Sequence, residues 1–316
     1  MKKKVITAVL ATGATLASIY AFNRLVDYRS DLKKSHLDTI RRKMTWRYGN
    51  VSYIKKGSGK PVLLIHDLKP CASSFEWERI INSLSKNHTV YAIDLLGCGL
   101  SQKPNLTYTN YLYVQLITDF VKNIIGVKTD IVATGGSGSF AVMATNMNPE
   151  YFKKIILVNP LRLEKLAKTT NKTKAIMMRA LVAPLFGTLL YNLVFSEHNL
   201  KRYMEKSGYS KSHLVSNRNT NPAFVAAHDG QGTGKYLHSS IISNYTNINI
   251  AFALKRINNS IYLIMGSDNP DANAIDKEYK LYNPSIESTV IKNTKMLPQQ
   301  ERPEAFIKEL NIFLND

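Results

Sequence analysis

Apolar and polar positions change period several times along the chain, and each change marks an element. From Met44 to Tyr48 and from Val51 to Lys55 they alternate around Gly49-Asn50, which predicts a β-hairpin turning at those two residues. Val62 to Ile65 is apolar at every position, as in a strand covered on both faces. Helical spacing over Phe75 to Leu84 leads to a strand over Thr89 to Ile93 and a long helix over Tyr108 to Ile125. A strand starting at Thr129 ends in small residues, a helix runs from Phe140 to Met147, and Lys154 to Val158 is the next strand. This alternation predicts right-handed crossovers and a mostly parallel sheet. The pattern then breaks. From Leu161 to about Asn249 the chain reads as helical or irregular with no clear strand, before Ile261 to Met265 and Glu287 to Ile291 resume the sheet and Glu301 to Leu314 closes it with an amphipathic helix. An insertion between two strands would lie over their carboxyl ends, where open α/β sheets bind ligands. The fold class expected is α/β, a mostly parallel sheet flanked by helices, with a helical cap over about residues 161–250.

The first residues have a pattern of their own. Val5 to Phe22 carries no charge, a length at the short end of the ~17–25 residues that span a bilayer. No small-residue cleavage site follows, so the run reads as an uncleaved single-pass anchor over residues 1–23 and not as a removed signal peptide. Lys2, Lys3 and Lys4 flank one side and Arg24, Arg29, Lys33 and Lys34 the other, so the flanks cast no vote for either orientation. Residues 24–43 read as a basic linker, with Lys33 to Lys43 able to lie on anionic headgroups, and 44–316 as the globular domain. Within the cap, Thr173 to Phe195 is very apolar and flanked by Lys172, Lys174 and Arg179. It is either a lipid-facing lid or a helix pair packed over the cleft.

Composition adjusts this picture modestly. A formal net charge of +19 and a pI near 9.7 favour anionic partners. The basic residues are dispersed, however, which fits a solvated surface and a membrane better than nucleic acid. Cys71 and Cys98 give neither a disulfide framework nor metal-ligand spacing, and no phosphate-binding glycine loop is present. No metal or cofactor is expected.

The candidate chemistry centres on Gly135-Gly136-Ser137-Gly138-Ser139, between a strand and a helix, which nearly matches the G-x-S-x-G nucleophile elbow. Small residues are needed there because the strand and helix backbones cross closely. The literal motif selects Ser137 as nucleophile.

The chain resembles the α/β-hydrolase superfamily, in its branch with a helical cap, from about Tyr48 to the C-terminus. The resemblance rests on Val62-Leu63-Leu64-Ile65-His66, on Asp94-Leu95-Leu96-Gly97-Cys98-Gly99-Leu100-Ser101, on Leu157-Val158-Asn159-Pro160, and on Leu297-Pro298 with Glu301 to Phe306. It implies a nucleophile, an imidazole base, an orienting carboxylate and backbone donors for an oxyanion. Counted without gaps from Asp130-Ile131-Val132, or back from Asn148-Pro149, the tip of the elbow falls on Gly135, with Ser137 where the family has glycine and free to cap the helix. A locally shifted turn would present Ser137 instead. The base position is Met296 and the acid position Asn269, with Asp268 beside it as a substitute carboxylate or a plain turn residue. His66-Asp67-Leu68 stands as the oxyanion loop, with Asp67 where the family has glycine, and Gly136 and Gly138 complete the turn. His228, in the Gly-rich stretch Ala227-His228-Asp229-Gly230, is the cap's candidate base; its other reading is an ordinary core or surface histidine. Loss of one triad member already costs orders of magnitude in rate. The expected function is therefore a membrane-anchored pseudohydrolase that binds a small apolar ligand or a partner under the cap. The alternative is an active ester or lipid hydrolase using Ser137 with an unusual base.

Overall fold

A computed structural model describes the backbone of residues 2–34 and 40–315 and the side chains of residue 7 and of residues 10–34 and 40–315. Eight strands form one sheet: β1 (Arg42–Trp46), β2 (Gly49–Lys56), β3 (Lys60–Ile65), β4 (His88–Ile93), β5 (Thr129–Thr134), β6 (Phe152–Val158), β7 (Ile261–Gly266) and β8 (Glu287–Ile291). Their order is β1-β2-β4-β3-β5-β6-β7-β8. The β1–β2 and β2–β4 pairs are antiparallel and all others parallel. The hairpin turns at Arg47-Tyr48, and not at Gly49-Asn50 as the sequence pattern suggests. Gly49 pairs with Trp46 and Asn50 with Thr45, and the Asn50 N–H is held by the Gln102 side chain at 3.0 Å. Trp46 and Tyr48 meet edge to face at 5.3 Å across the turn.

Alternate residues of the central strands serve two separate cores. Leu63, Ile65, Ile131, Ala133, Leu157 and Leu263 face α3 (Asn110–Phe120) and α4 (Ser137–Met147), with α11 (Ala251–Arg256) and α12 (Ala272–Tyr282) beside them. Val62, Leu64, Val132, Ile156 and Ile264 face α2 (Glu78–Leu84) and α14 (Pro303–Asn315). Each fully buried aliphatic side chain contributes about 1.5–3 kcal/mol relative to exposure. Burial on both faces is why Val62 to Ile65 of β3 and Ile261 to Met265 of β7 read as apolar runs.

Between β6 and β7 lie the cap helices α5 (Leu163–Leu166), α6 (Lys172–Leu181), α7 (Phe186–Val194), α8 (Glu197–Tyr203), α9 (Asn217–His228) and α10 (Gly234–Ile242). A short α13 (Pro298–Glu301) follows β8.

The N-terminal residues form one helix, α1 (Lys2–Lys34), which continues through most of the expected linker. Asn23, Val26, Asp27 and Ser30 are buried. Their i, i+3, i+4, i+7 spacing defines one face, which packs on α7 and α9. Lys33 bonds Glu197 at 3.0 Å and Asn221 at 2.6 Å, and Lys34 bonds Asp229 at 2.7 Å. These two lysines therefore grip the cap. The middle of the expected basic stretch, residues 35–39, lies outside the described residues. Residues 10–22 are exposed except for half-buried Ile19. Among the described residues no single helix is long and apolar enough to cross a membrane. The apolar run that reads as an anchor begins in residues whose side chains lie outside them. The pair α6 and α7 passes the same test of length and composition but is bent by 95°.

Candidate functional site

The site forms where β5 turns into α4. Gly135 follows the strand's last residue with φ +56°, a left-handed backbone that glycine adopts without strain. Its N–H donates to the Val158 carbonyl at 2.9 Å. A Cβ built on Gly135 would lie 2.3 Å from Asp67 Oδ1 and 2.5 Å from the Asp67 carboxyl carbon. The space beside the tip of the turn is thus filled by a carboxylate from the loop after β3.

The partners of that carboxylate define the chemistry. Asp67 Oδ1 accepts from the N–H of Gly136 at 2.8 Å and of Leu68 at 2.9 Å. These are the residue after the tip and a residue of the β3 loop, the two places from which an α/β-hydrolase elbow draws its oxyanion donors. The Asp67 side chain occupies both. Its Oδ2 pairs with Lys69 Nζ at 2.7 Å, and the same Nζ bonds the Tyr203 hydroxyl at 2.7 Å. Burial would raise the Asp67 carboxyl, but Lys69 and the two N–H donors outweigh it and hold it below its usual range. Burial would likewise lower Lys69, yet Asp67 and Tyr203 hold its ammonium well above its ordinary value.

Glu76 stands behind this pair. Its Oε2 accepts the Asp67 N–H at 3.1 Å and its Oε1 accepts Gln299 Nε2 at 2.9 Å. Burial first, and the Asp67 charge second, push the Glu76 carboxyl up to about 7. Gln299 Oε1 is buried without a partner. A turned Gln299 amide would accept the proton of a neutral Glu76.

Asp67, Lys69, Tyr203 and Met296 form the wall between two cavities. The inner one, of about 90 Å³, is lined mainly by apolar groups such as Phe75, Met204, Ala223 and Leu297, with Glu76 and Gly135 also in its lining. The outer groove, of about 840 Å³, is more polar and runs past Gly136, Ser139, Arg162, Asn269 and Lys295.

Asn159, with φ +42°, ties the loops of the expected acid and base positions together. Its Nδ2 donates to the carbonyls of Lys295 at 2.8 Å and Met296 at 3.1 Å, and its Oδ1 accepts from Gly266 N–H at 3.1 Å and Asn269 Nδ2 at 2.8 Å. Met296 and Asn269 both line the outer groove, and Met296 lines the inner cavity together with Gly135.

The other sequence candidates sit as follows. Ser137 is the first residue of α4, two positions past the tip and fully buried, with an unpartnered hydroxyl outside both cavity linings. It caps nothing, since Gly136 occupies the cap position. Gly138 packs against Leu157. His66 is fully buried. Its Nε2 accepts the Leu95 N–H at 3.0 Å, so its Nδ1 carries the proton and donates to the Asp67 carbonyl at 2.7 Å. Burial lowers its pKa, which fits a neutral ring that fixes the loop. His228 bonds its own helix at the Phe224 carbonyl, stacks on the Phe224 ring at 4.3 Å, and is pushed down to about 4 by burial. It lines neither cavity. Asp268 is in an exposed turn, held by the Ser210 and Ser267 hydroxyls. Among the described residues no cluster of three His, Cys, Asp or Glu side chains could hold a metal.

Sequence reading missed Lys69, Glu76, Asn159 and Tyr203. Asn159-Pro160 and His66-Asp67 were visible as motif edges, but the partners that give Asp67 its role come from distant segments.

The model of the alpha/beta hydrolase family matches residues 62–309. A 2-hydroxy-6-oxo-6-(2'-aminophenyl)hexa-2,4-dienoic acid hydrolase of Metapseudomonas resinovorans is 31% identical over 109 residues, 34% of this chain and 37% of that enzyme. The matched stretch thus spans little more than a third of that relative's length. Among solved structures, a serine hydrolase involved in carbazole degradation superposes with a TM-score of 0.71 at 17% identity, covering 87% of this chain and 98% of the other. A bacterial membrane phospholipase A superposes with a TM-score of 0.69 at 16% identity, covering 100% of this chain and 98% of that one. At these identities the likeness is one of fold.

Proposed function

The chain belongs to the alpha/beta hydrolase family, and from that premise we propose that it is a membrane-anchored pseudohydrolase whose inner cavity binds a small, mostly apolar, neutral ligand. The observation that carries this reading is Asp67. Acyl transfer needs a nucleophile at the elbow tip and free donors for the negative oxygen that forms beside it. Gly135 supplies no side chain, and the Gly136 and Leu68 donors are already taken by a carboxylate. A substrate oxyanion would have to displace an ion-paired group of its own sign. Met296 at the base position has no proton chemistry near neutral pH, and Ser137 lies buried outside both cavities. The apolar lining and the internal neutralisation of Asp67 by Lys69 favour an uncharged ligand.

The anchor is supported by the geometry of α1. Among the described residues its buried face begins at Asn23, and we read the helical stretch before it, Lys2 to Phe22, as projecting from the globule. At the helical rise that stretch is roughly 30 Å long, close to a bilayer's hydrocarbon thickness. A superposition that covers the whole chain is with a membrane phospholipase A.

The test uses the folded full chain in detergent micelles or vesicles. A fluorophosphonate probe is expected to leave it unlabelled. Short neutral esters and alcohols are expected to raise its melting temperature, and to do so less after Ala223→Trp, which fills the inner cavity. Probe labelling that vanishes in Ser137→Ala would overturn the pseudohydrolase reading in favour of a working serine hydrolase.

A further inference from the structure

We propose that the elbow of α6 and α7 is a second membrane contact, seated in the headgroup region of an anionic bilayer beside the point where α1 enters it. This rests on the anchor reading above. The exposed stripe on α7 consists of Phe186, Leu190, Leu193 and Val194, spaced i, i+4, i+7, i+8 and between 47% and 54% exposed. Its opposite face, Gly187, Tyr191 and Asn192, is buried in the cap. Helix α6 has no buried residue at all, and Ile176 on it is 67% exposed. Apolar side chains spread over two adjacent surface helices are not matched elsewhere on the cap.

The bend between these helices is fixed. It measures 95° and is made by Pro184, by Leu185 at φ +59°, and by Gly187, where a Cβ would meet the Leu181 carbonyl oxygen at 2.3 Å. A non-glycine residue held at positive φ persists only when its surroundings impose it. The bend is also tied to α1. Asn23, the first buried residue of that helix among the described residues, donates to the Leu185 carbonyl at 3.3 Å and accepts from Asn192 at 2.9 Å. The α6–α7 elbow therefore lies at the level where α1 leaves the globule, which is where a bilayer surface would begin. Charge selects the occupant: Lys172, Lys174 and Arg179 surround the apolar residues, and α6 carries no acid. A basic rim around an apolar face matches anionic headgroups over acyl chains.

The experiment places an environment-sensitive nitrobenzoxadiazole label at single cysteines of the full chain, in a Cys71→Ser background, since Cys98 is fully buried. Labels go at Leu16→Cys in α1, at Ile176→Cys and Leu190→Cys in the elbow, and at Leu281→Cys on α12. Proteoliposomes of phosphatidylcholine and phosphatidylglycerol carry bromine at shallow or deep acyl positions. The expected result is deep quenching at position 16, shallow quenching at positions 176 and 190 that weakens in pure phosphatidylcholine, and none at position 281. Quenching at position 16 alone overturns the elbow contact and leaves the anchor standing. Absence of quenching at position 16 overturns the anchor and the elbow contact with it. Self-quenching between labels at position 190 in detergent, without lipid quenching, overturns it in favour of a second copy of the chain.

Discussion

At the scale of single residues, Asp67 connects every part of the site. It satisfies two part-buried N–H donors and one ammonium, so its removal leaves both N–H groups without that partner and the ammonium with Tyr203 alone. Each orphaned donor costs about 1–3 kcal/mol. Asp67→Ala is therefore expected to lower the melting temperature by several degrees. Acetate at tens of millimolar should restore part of the loss, because its carboxylate fits the same donors. The wild type should show no such acetate effect in thermal denaturation. Glu76 gives a second handle. Between the ordinary glutamate value of 4.5 and about 7, the folded protein keeps a proton that the unfolded chain has released. Stability must then fall as pH rises through that window, by on the order of 3 kcal/mol for this group. Glu76→Gln cannot ionise. Urea melts from pH 5 to pH 8 are expected to lose most of this slope in the variant, and an unchanged slope would show that other groups set it.

At the scale of elements, what the sequence makes legible follows from periodicity. Strands buried on both faces announce themselves as apolar runs, and the strand–turn–helix at Thr129 to Met147 reads correctly because its signal is local. The turn expected at Gly49-Asn50 from Gly-Asn chemistry falls instead at Arg47-Tyr48, and Gln102, far along the chain, holds the Asn50 N–H. Asp67 lies 69 positions from Gly136, and Glu76 lies 223 from Gln299. No pattern within one segment reveals pairs of that kind. The same holds for α1. Its polar face, Asn23, Asp27 and Ser30, reads as linker composition until α7 and α9 are placed against it. That interface makes a measurable unit. Asn23 and Asn192 are both buried and bond each other at 2.9 Å. A double-mutant cycle with Asn23→Ala and Asn192→Ala should return a coupling of about 0.5–3 kcal/mol in chemical denaturation. Additive single effects would mean that α1 rests on the cap without this bond holding it.

At the scale of the whole molecule, the family's sheet and flanking helices are present, and the proposed reading is that the groups at the elbow, acid and base positions are exchanged. The Asn159 side chain still holds the loops of Asn269 and Met296 in register with the tip at Gly135. On that reading, installing serine-hydrolase chemistry should need side chains and not a new backbone. Gly135→Ser alone is expected to fold poorly, because its Cβ would lie 2.3 Å from Asp67 Oδ1 and a left-handed backbone costs serine about 1–2 kcal/mol. Asp67→Gly removes the clash and frees the Gly136 and Leu68 donors. The pair should thus be more stable than the sum of its single effects predicts. Adding Asn269→Asp and Met296→His supplies the carboxylate and the imidazole at loops that Asn159 already joins. Fluorophosphonate labelling is expected in this quadruple variant, at the introduced hydroxyl. It should fall by two orders of magnitude or more when Met296 is left unchanged, since a hydroxyl without its base loses most of its reactivity. A folded quadruple variant that stays unlabelled would mean that the turn's geometry, and not only its side chains, has moved away from catalysis.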